Sequence, residues 1–301
     1  MIFFENVCKF ILSDLSIHIP QGKSLGLIGP SGSGKTTFLK LACGLLRPES
    51  GSVHTMRLIP EKNRRELSDM TGTFFVDIPF FQGNDTVESN FRDLKIIYRM
   101  RDDIFDKEYH ALAEQLGFRS FEKETVKQLS LGQRRRAEIG ATLLNRPKLL
   151  LLDEPAEGLD QTAKDSLREI LKERRSEGTT VVISSHNMEE ISAICERIAL
   201  LDHGVLRYYG EKEHLLKNFA PYEMMEISFS GKIPDMEDLP LKSYSLNQNK
   251  LKLTYNSNYV TSAELLRHIL AQTTITAVNT HKSGLSDAVS RIEKGENYEL
   301  Y

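Results

Sequence analysis

The chain has 301 residues, 40% hydrophobic and 27% charged, with 39 Lys and Arg against 42 Asp and Glu for a formal net charge of −3. That balance suits one large globular core plus a smaller appended unit, and it leaves no overall basic field to hold DNA or RNA, so no nucleic acid is expected as a partner. The three cysteines, Cys8, Cys43 and Cys195, show no C-x-x-C spacing, which argues against a zinc site or disulfide framework and fits a reducing, cytoplasmic setting.

The opening run Met1-Ile2-Phe3-Phe4-Glu5-Asn6 lacks the basic region and long apolar stretch of a secretory signal and reads as a strand. No uncharged apolar run approaches the ~20 residues of a membrane-spanning helix, since Leu149 to Leu152 is bracketed by Lys148 and Asp153. Any membrane role is therefore expected of a separate subunit. Strands are predicted over 2–7, 15–19 and 23–28, with a Pro20-Gln21-Gly22 turn before the last. That strand feeds Gly29-Pro30-Ser31-Gly32-Ser33-Gly34-Lys35-Thr36, which matches G-x-x-x-x-G-K-[ST] in the required place between a strand and a helix. Glycines let this backbone curl until several N–H groups point at one phosphate. Lys35 adds a cation on the β- and γ-oxygens, the Thr36 hydroxyl can ligate Mg²⁺, and Thr37 completes the nucleotide-binding run. Phe38, Leu41, Ala42 and Leu45 then fall on one face of the helix that follows.

From about 86 to 145 the chain turns polar and helical, as an inserted helical subdomain would. Leu149-Leu150-Leu151-Leu152-Asp153-Glu154 is an apolar strand ending in two carboxylates, delivered where ligands of open α/β sheets bind. Next come a helix with Ala163, Leu167, Ile170 and Leu171 on one face, stopping at Gly178, and a strand over 179–185. Asn187 with Glu190 forms an N-cap pair, and a hairpin over 198–201 and 205–209 turns at His203-Gly204. Past Gly210 a short helix leads to Pro221, where a boundary is placed; 224–228, 242–246 and 251–255 alternate like strands of a small α+β unit. The end of the tail, 293–301, reads as frayed.

Leu129-Ser130-Leu131-Gly132-Gln133 differs by one residue from the LSGGQ signature, and through it the chain resembles the ATP-binding cassette (ABC) family over residues 1–220. The landmarks stand in that family's order: phosphate loop, signature, Asp153-Glu154, Glu157-Gly158-Leu159-Asp160, then His186. The resemblance implies an α/β, P-loop (RecA-like) ATPase core with an antiparallel β subdomain and an inserted helical subdomain, followed by a small α+β C-terminal domain over 221–301. In physical terms the signature loop starts a helix, so Ser130 and the N–H groups near Gly132 and Gln133 offer an anion site without a lysine. In the family this loop caps the γ-phosphate held by the other subunit, so two ATP molecules are sandwiched in a head-to-tail dimer. Asp153 is then expected to hold Mg²⁺ through water, Glu154 to polarise the attacking water, and His186 to contact the γ-phosphate. Asp160 belongs by resemblance to a loop that communicates across the dimer, and is equally an ordinary N-cap. Phe10 is either an aromatic platform for adenine or a core phenylalanine. At least two of Arg134, Arg135 and Arg136 are expected to be solvated, because consecutive helical residues point in different directions. The family's metal-sensing glutamine falls at Asp77, with Gln82 nearby as the alternative; a carboxylate at 77 could still ligate Mg²⁺.

Gly44 to Gly51, Ser184 to Glu190 and, more diffusely, Leu285 to Val289 are similar to ATPases that energise ABC-2 type drug and antibiotic exporters. The expected protein is an ATPase on the inner face of the membrane, paired as a homodimer or heterodimer and bound to an integral membrane permease. Its cargo would be a drug, antibiotic, peptide or lipid-like molecule. The rivals are a soluble ABC mechanoenzyme acting on nucleic acid or the ribosome, and a P-loop phosphotransferase, which would leave the signature and His186 unexplained.

Overall fold

A computed structural model describes residues 1–81, 83–236 and 239–294. Gln82 and the end of the tail, 295–301, lie outside the described residues. The chain divides into two compact units, Met1–Gly210 and Glu211–Tyr301.

In the first unit the chain runs through β1 (Ile2–Lys9), β2 (Leu12–Ile19), β3 (Ser24–Ile28), α1 (Lys35–Ala42), β4 (Ser50–Thr55), α2 (Arg64–Ser68) and β5 (Thr71–Phe74). It continues through α3 (Val87–Ile97), α4 (Asp102–Gln115), α5 (Leu131–Leu143), β6 (Leu149–Asp153), α6 (Gln161–Ser176), β7 (Thr180–Ser184), α7 (Met188–Ile194), β8 (Arg197–Asp202) and β9 (Val205–Glu211). Strands β3, β6 and β7 are buried at every position, the pattern of strands covered on both faces. They form the middle of a six-stranded sheet ordered β5-β6-β7-β3-β8-β9, whose β5/β6, β6/β7, β7/β3 and β3/β8 pairs are all parallel. Parallel pairing brings the C-terminal ends of β3, β5, β6 and β7 to one edge, where the loops after them meet.

A second, antiparallel sheet ordered β2-β1-β4 flanks this core. Phe4 of β1 stacks on Phe38 of α1 at 4.4 Å between centroids, inside an apolar cluster that also holds Leu25, Leu27, Leu151 and Val182. The helix that opens at the phosphate loop is thus pinned between both sheets. In the helical insertion, Phe91 of α3 packs on Phe118 at 5.1 Å and on Tyr109 of α4 at 5.0 Å. Buried Glu108 of α4 takes Arg146 at 2.5 Å and Arg174 of α6 at 2.7 Å, so neither guanidinium nor carboxylate is left desolvated alone.

The second unit comprises α8 (Lys212–Phe219), β10 (Tyr222–Ser230), β11 (Leu241–Asn247), β12 (Lys250–Asn256), α9 (Ser262–Leu270), β13 (Thr274–Lys282) and α10 (Leu285–Glu293). Its four-stranded antiparallel sheet is ordered β11-β12-β10-β13, with Met225, Ile227, Phe229, Leu251, Leu253 and Tyr255 buried with Leu265 and Ile269 of α9. Helix α8 packs on α10 and so belongs with this unit, which sets the division after Gly210, upstream of the expected boundary at 221. Among the described residues no helix is long and apolar enough to cross a membrane.

Candidate functional site

The loop from Gly29 to Gly34 joins the buried strand β3 to α1. At Gly29 (φ +144°) a Cβ would fall 1.9 Å from the Leu201 carbonyl oxygen, so no other residue fits. At Gly32 (φ +80°) the reason is backbone conformation alone, because nothing lies within 4 Å of the Cβ position and the space beside it is open. Pro30 and Ser31 are exposed, Thr37 is half-buried, and Ser33 is buried with an Oγ that has no hydrogen-bond partner among the described residues. Lys35 folds back over the loop: its Nζ donates to the carbonyls of Gly29 at 2.8 Å and Pro30 at 3.0 Å. Burial pushes the pKa of this ammonium down, while the charges of Glu154 and Asp153 hold it up. No acidic side chain occupies the first turn of α1, so its positive end is not already neutralised.

Asp153 ends β6 opposite Ser184 of β7. One carboxylate oxygen accepts from the Thr36 hydroxyl at 2.7 Å and the other from the Ser184 hydroxyl at 2.5 Å. Glu154 turns out of the sheet with φ +48°, its N–H donating to the carbonyl and the hydroxyl oxygen of Ser184, each at 3.1 Å. Its Oε2 then meets His186 twice, Nδ1 at 2.9 Å and the backbone N–H at 3.3 Å. Thr36, Asp153, Glu154 and His186 are therefore one bonded series. Ser184, which the sequence reading did not single out, joins its two halves; the only signal was a polar residue directly after the apolar run Val181-Val182-Ile183. Together the Thr36 hydroxyl and the Asp153 carboxylate make a hard-oxygen pair of the kind that could hold Mg²⁺. Among the described residues no group of three or more His, Cys, Asp or Glu forms a metal cluster by itself.

Ser130 is exposed and caps α5. Its Oγ accepts from the Gln133 N–H at 3.2 Å, and its own N–H donates to Gln133 Oε1 at 2.9 Å, a reciprocal capping box. Asp160 caps α6 by accepting from the Ala163 N–H at 2.8 Å. The bonds of Ser130, Gln133 and Asp160 thus stay within their own helices. The following arginines differ from expectation. Arg135 is buried, hydrogen-bonded to the Glu157 carbonyl and 3.7 Å from its carboxylate, while Arg134 reaches Glu138 at 3.0 Å and Arg136 lies 5.4 Å from the Phe121 ring centroid. Arg134 and Arg136 are half-buried, and Arg135 is fully covered because α5 is wedged against the 157–160 turn: a Cβ on Gly132 would stand 3.0 Å from the Gly158 carbonyl oxygen.

Phe10 is 69% exposed, with Lys9 Nζ over its ring 4.5 Å from the centroid, so it is no core residue. Asp77 stands apart from the bonded series: its carboxylate pairs with Lys40 of α1 at 2.7 Å.

Residues 12–157 match the model of a family described as ABC transporter. The chain is 34% identical over 225 residues to the lantibiotic transport ATP-binding protein SrtF of Streptococcus pyogenes, covering 75% of this chain and 92% of that one. It is 32% identical over 200 residues to the ABC transporter ATP-binding protein YdbJ of Bacillus subtilis, covering 66% of this chain and 64% of the relative's length. The fold is similar to the dimeric ATP-binding cassette MJ0796 in a post-hydrolysis state bound to ADP and Pi, with TM-score 0.63, 25% identity, and 70% of this chain and 98% of that one covered.

Proposed function

The chain belongs to the ABC transporter family of ATP-binding proteins, and from that premise we propose that it binds Mg·ATP and hydrolyses it to ADP and phosphate to drive a separate membrane permease. The observation that carries the reading is the bonded series from Thr36 through Asp153 and Ser184 to Glu154 and His186, standing directly beyond the Lys35 loop.

On nucleotide arrival, Lys35 Nζ exchanges the two carbonyls it now holds for the β- and γ-phosphate oxygens, and the N–H groups from Ser31 to Thr37 close on the same phosphates. Thr36 and Asp153 would hold Mg²⁺, which neutralises phosphate charge when bound. Glu154 takes the proton of the attacking water on its carboxylate, and His186, bonded to that carboxylate, fixes its direction. Phe10 stacks on the base. The second grip on the γ-phosphate comes from Ser130, Gly132 and Gln133 of a paired subunit, with Asp160 beside that seam. One chain carries both kinds of loop, so a homodimer would complete two sites, and a related ATPase chain could take the place of the mate.

The permease places the protein on the cytoplasmic face of the membrane. SrtF is named for lantibiotic transport, and we extend that cargo class, an antibiotic or similar amphipathic peptide leaving the cell, to this chain. The test is phosphate release from ATP by the purified chain with and without Mg²⁺. Metal-dependent release supports the proposal. Transfer of the γ-phosphate to a small acceptor without free phosphate would replace it with a phosphotransferase.

A further inference from the structure

Asp77 follows β5 at the same sheet edge as Asp153, yet its carboxylate faces an ammonium, with Lys40 Nζ 2.7 Å away. Lys40 stands four residues after Thr36 on α1, so the two side chains share a face about one turn apart. The Lys40 side chain is only 20% exposed, and its Nζ also lies 5.7 Å from the Phe75 ring centroid. At the other end of the same segment the Phe80 N–H donates to Glu138 Oε1 at 3.1 Å, an oxygen that also accepts from Arg134 Nε at 3.0 Å. Glu138 is buried on α5, about two turns past Ser130. Segment 75–81 is therefore fastened to the phosphate-loop helix by Asp77 and to the signature helix by Phe80.

Resting on the reading that Thr36 and Asp153 hold the metal, we propose that Asp77 is a positioning residue acting through Lys40, and that their ion pair latches segment 75–81 to α1 in place of a metal contact. The charge balance favours this arrangement. Lys35, Asp153 and Glu154 already set the charge at the phosphates, and a further carboxylate on the ion would add repulsion between acids. Paired with Lys40, Asp77 contributes no net charge there. Turning toward the metal would strip a largely covered ammonium of its partner. The segment is thus seated before nucleotide or metal arrives.

The test uses the full chain and two readouts. Without nucleotide or metal, hydrogen exchange is followed at the amides that hold the segment, those of Ile78, bonded to the Phe75 carbonyl, and Phe80. Asp77→Asn and Lys40→Met should each speed exchange about three- to fivefold, the scale of a partly exposed ion pair, and the swap Lys40→Asp with Asp77→Lys should return it to within about twofold of the parent. The Mg²⁺ concentration that half-saturates ATP binding, read by calorimetry, should stay within about twofold in Asp77→Asn. Unchanged exchange in both single variants, or speeding in only one, would overturn the latch. So would a tenfold or larger rise in the Mg²⁺ requirement of Asp77→Asn that Lys40→Met does not share, because that marks a direct ligand. If the parent chain binds no Mg·ATP, the nucleotide reading fails, while the exchange arm still decides the latch.

Discussion

The Lys35 loop and the Ser130 loop each open a helix, but they are built from opposite materials. The first has an ammonium, a hydroxyl bonded to a carboxylate, and Gly32, which leaves open space beside the backbone. The second has no lysine: Arg134 and Arg135 turn to Glu138 and Glu157, and the Ser130 hydroxyl oxygen accepts the cap bond of its own helix. On the proposed reading Lys35 would hold a triphosphate unaided, whereas the Ser130 loop would add a directional grip to one already bound. That reading predicts that binding precedes pairing and that hydrolysis waits for both.

The largest effect that would test this division is on the carboxylate between them. Glu154→Gln should lower phosphate release on the order of 10²–10⁴-fold, leave ATP affinity within about twofold, and accumulate an ATP-bound dimer on size exclusion. A variant hydrolysing at the parental rate would remove Glu154 from the reaction. Next comes Lys35→Ala, which should weaken ATP binding about 10- to 100-fold in calorimetry, the range for charge-assisted hydrogen bonds of about 1.5–3 kcal/mol. Unchanged affinity would mean that Lys35 keeps its two loop carbonyls and never reaches phosphate. Smallest is Ser130→Ala in the isolated subunit, which should lose about 1 kcal/mol of stability with the cap and melt a few degrees lower. Its ATP affinity should not change, and a large loss there would mean that both loops address a nucleotide within one chain.

The sequence makes the first loop plain because all its chemistry is contiguous, and the carboxylates plain because an apolar run points at them. What it hides is held by folding alone. Ser184 is one of several polar residues around a strand end, and its role depends on parallel register with Asp153. Lys40 and Asp77 lie 37 residues apart and meet only because β5 delivers the following segment beside α1. That strand is only four residues, Thr71–Phe74, and contains Gly72, so its pattern is too short to read. Arg135 belongs to a run of three bases, which suggests solvent; the approach of α5 to the 157–160 turn buries it instead. In the second unit β13 is exposed at all but one position, so although Thr274, Ile275, Thr276, Val278 and Thr280 favour extended backbone, no buried face marks it as a strand.

The composite site is tested most directly by mixing two inactive variants. Lys35→Ala cannot grip phosphate, and Ser130→Arg cannot cap it, so each homodimer lacks one half at both sites. A mixed dimer regains one intact site, with Lys35 from the Ser130→Arg chain and Ser130 from the Lys35→Ala chain. Phosphate release that is absent from either variant alone and reappears on mixing is the predicted result; a mixture of folded variants that stays inactive at every ratio would contradict the two-sided grip.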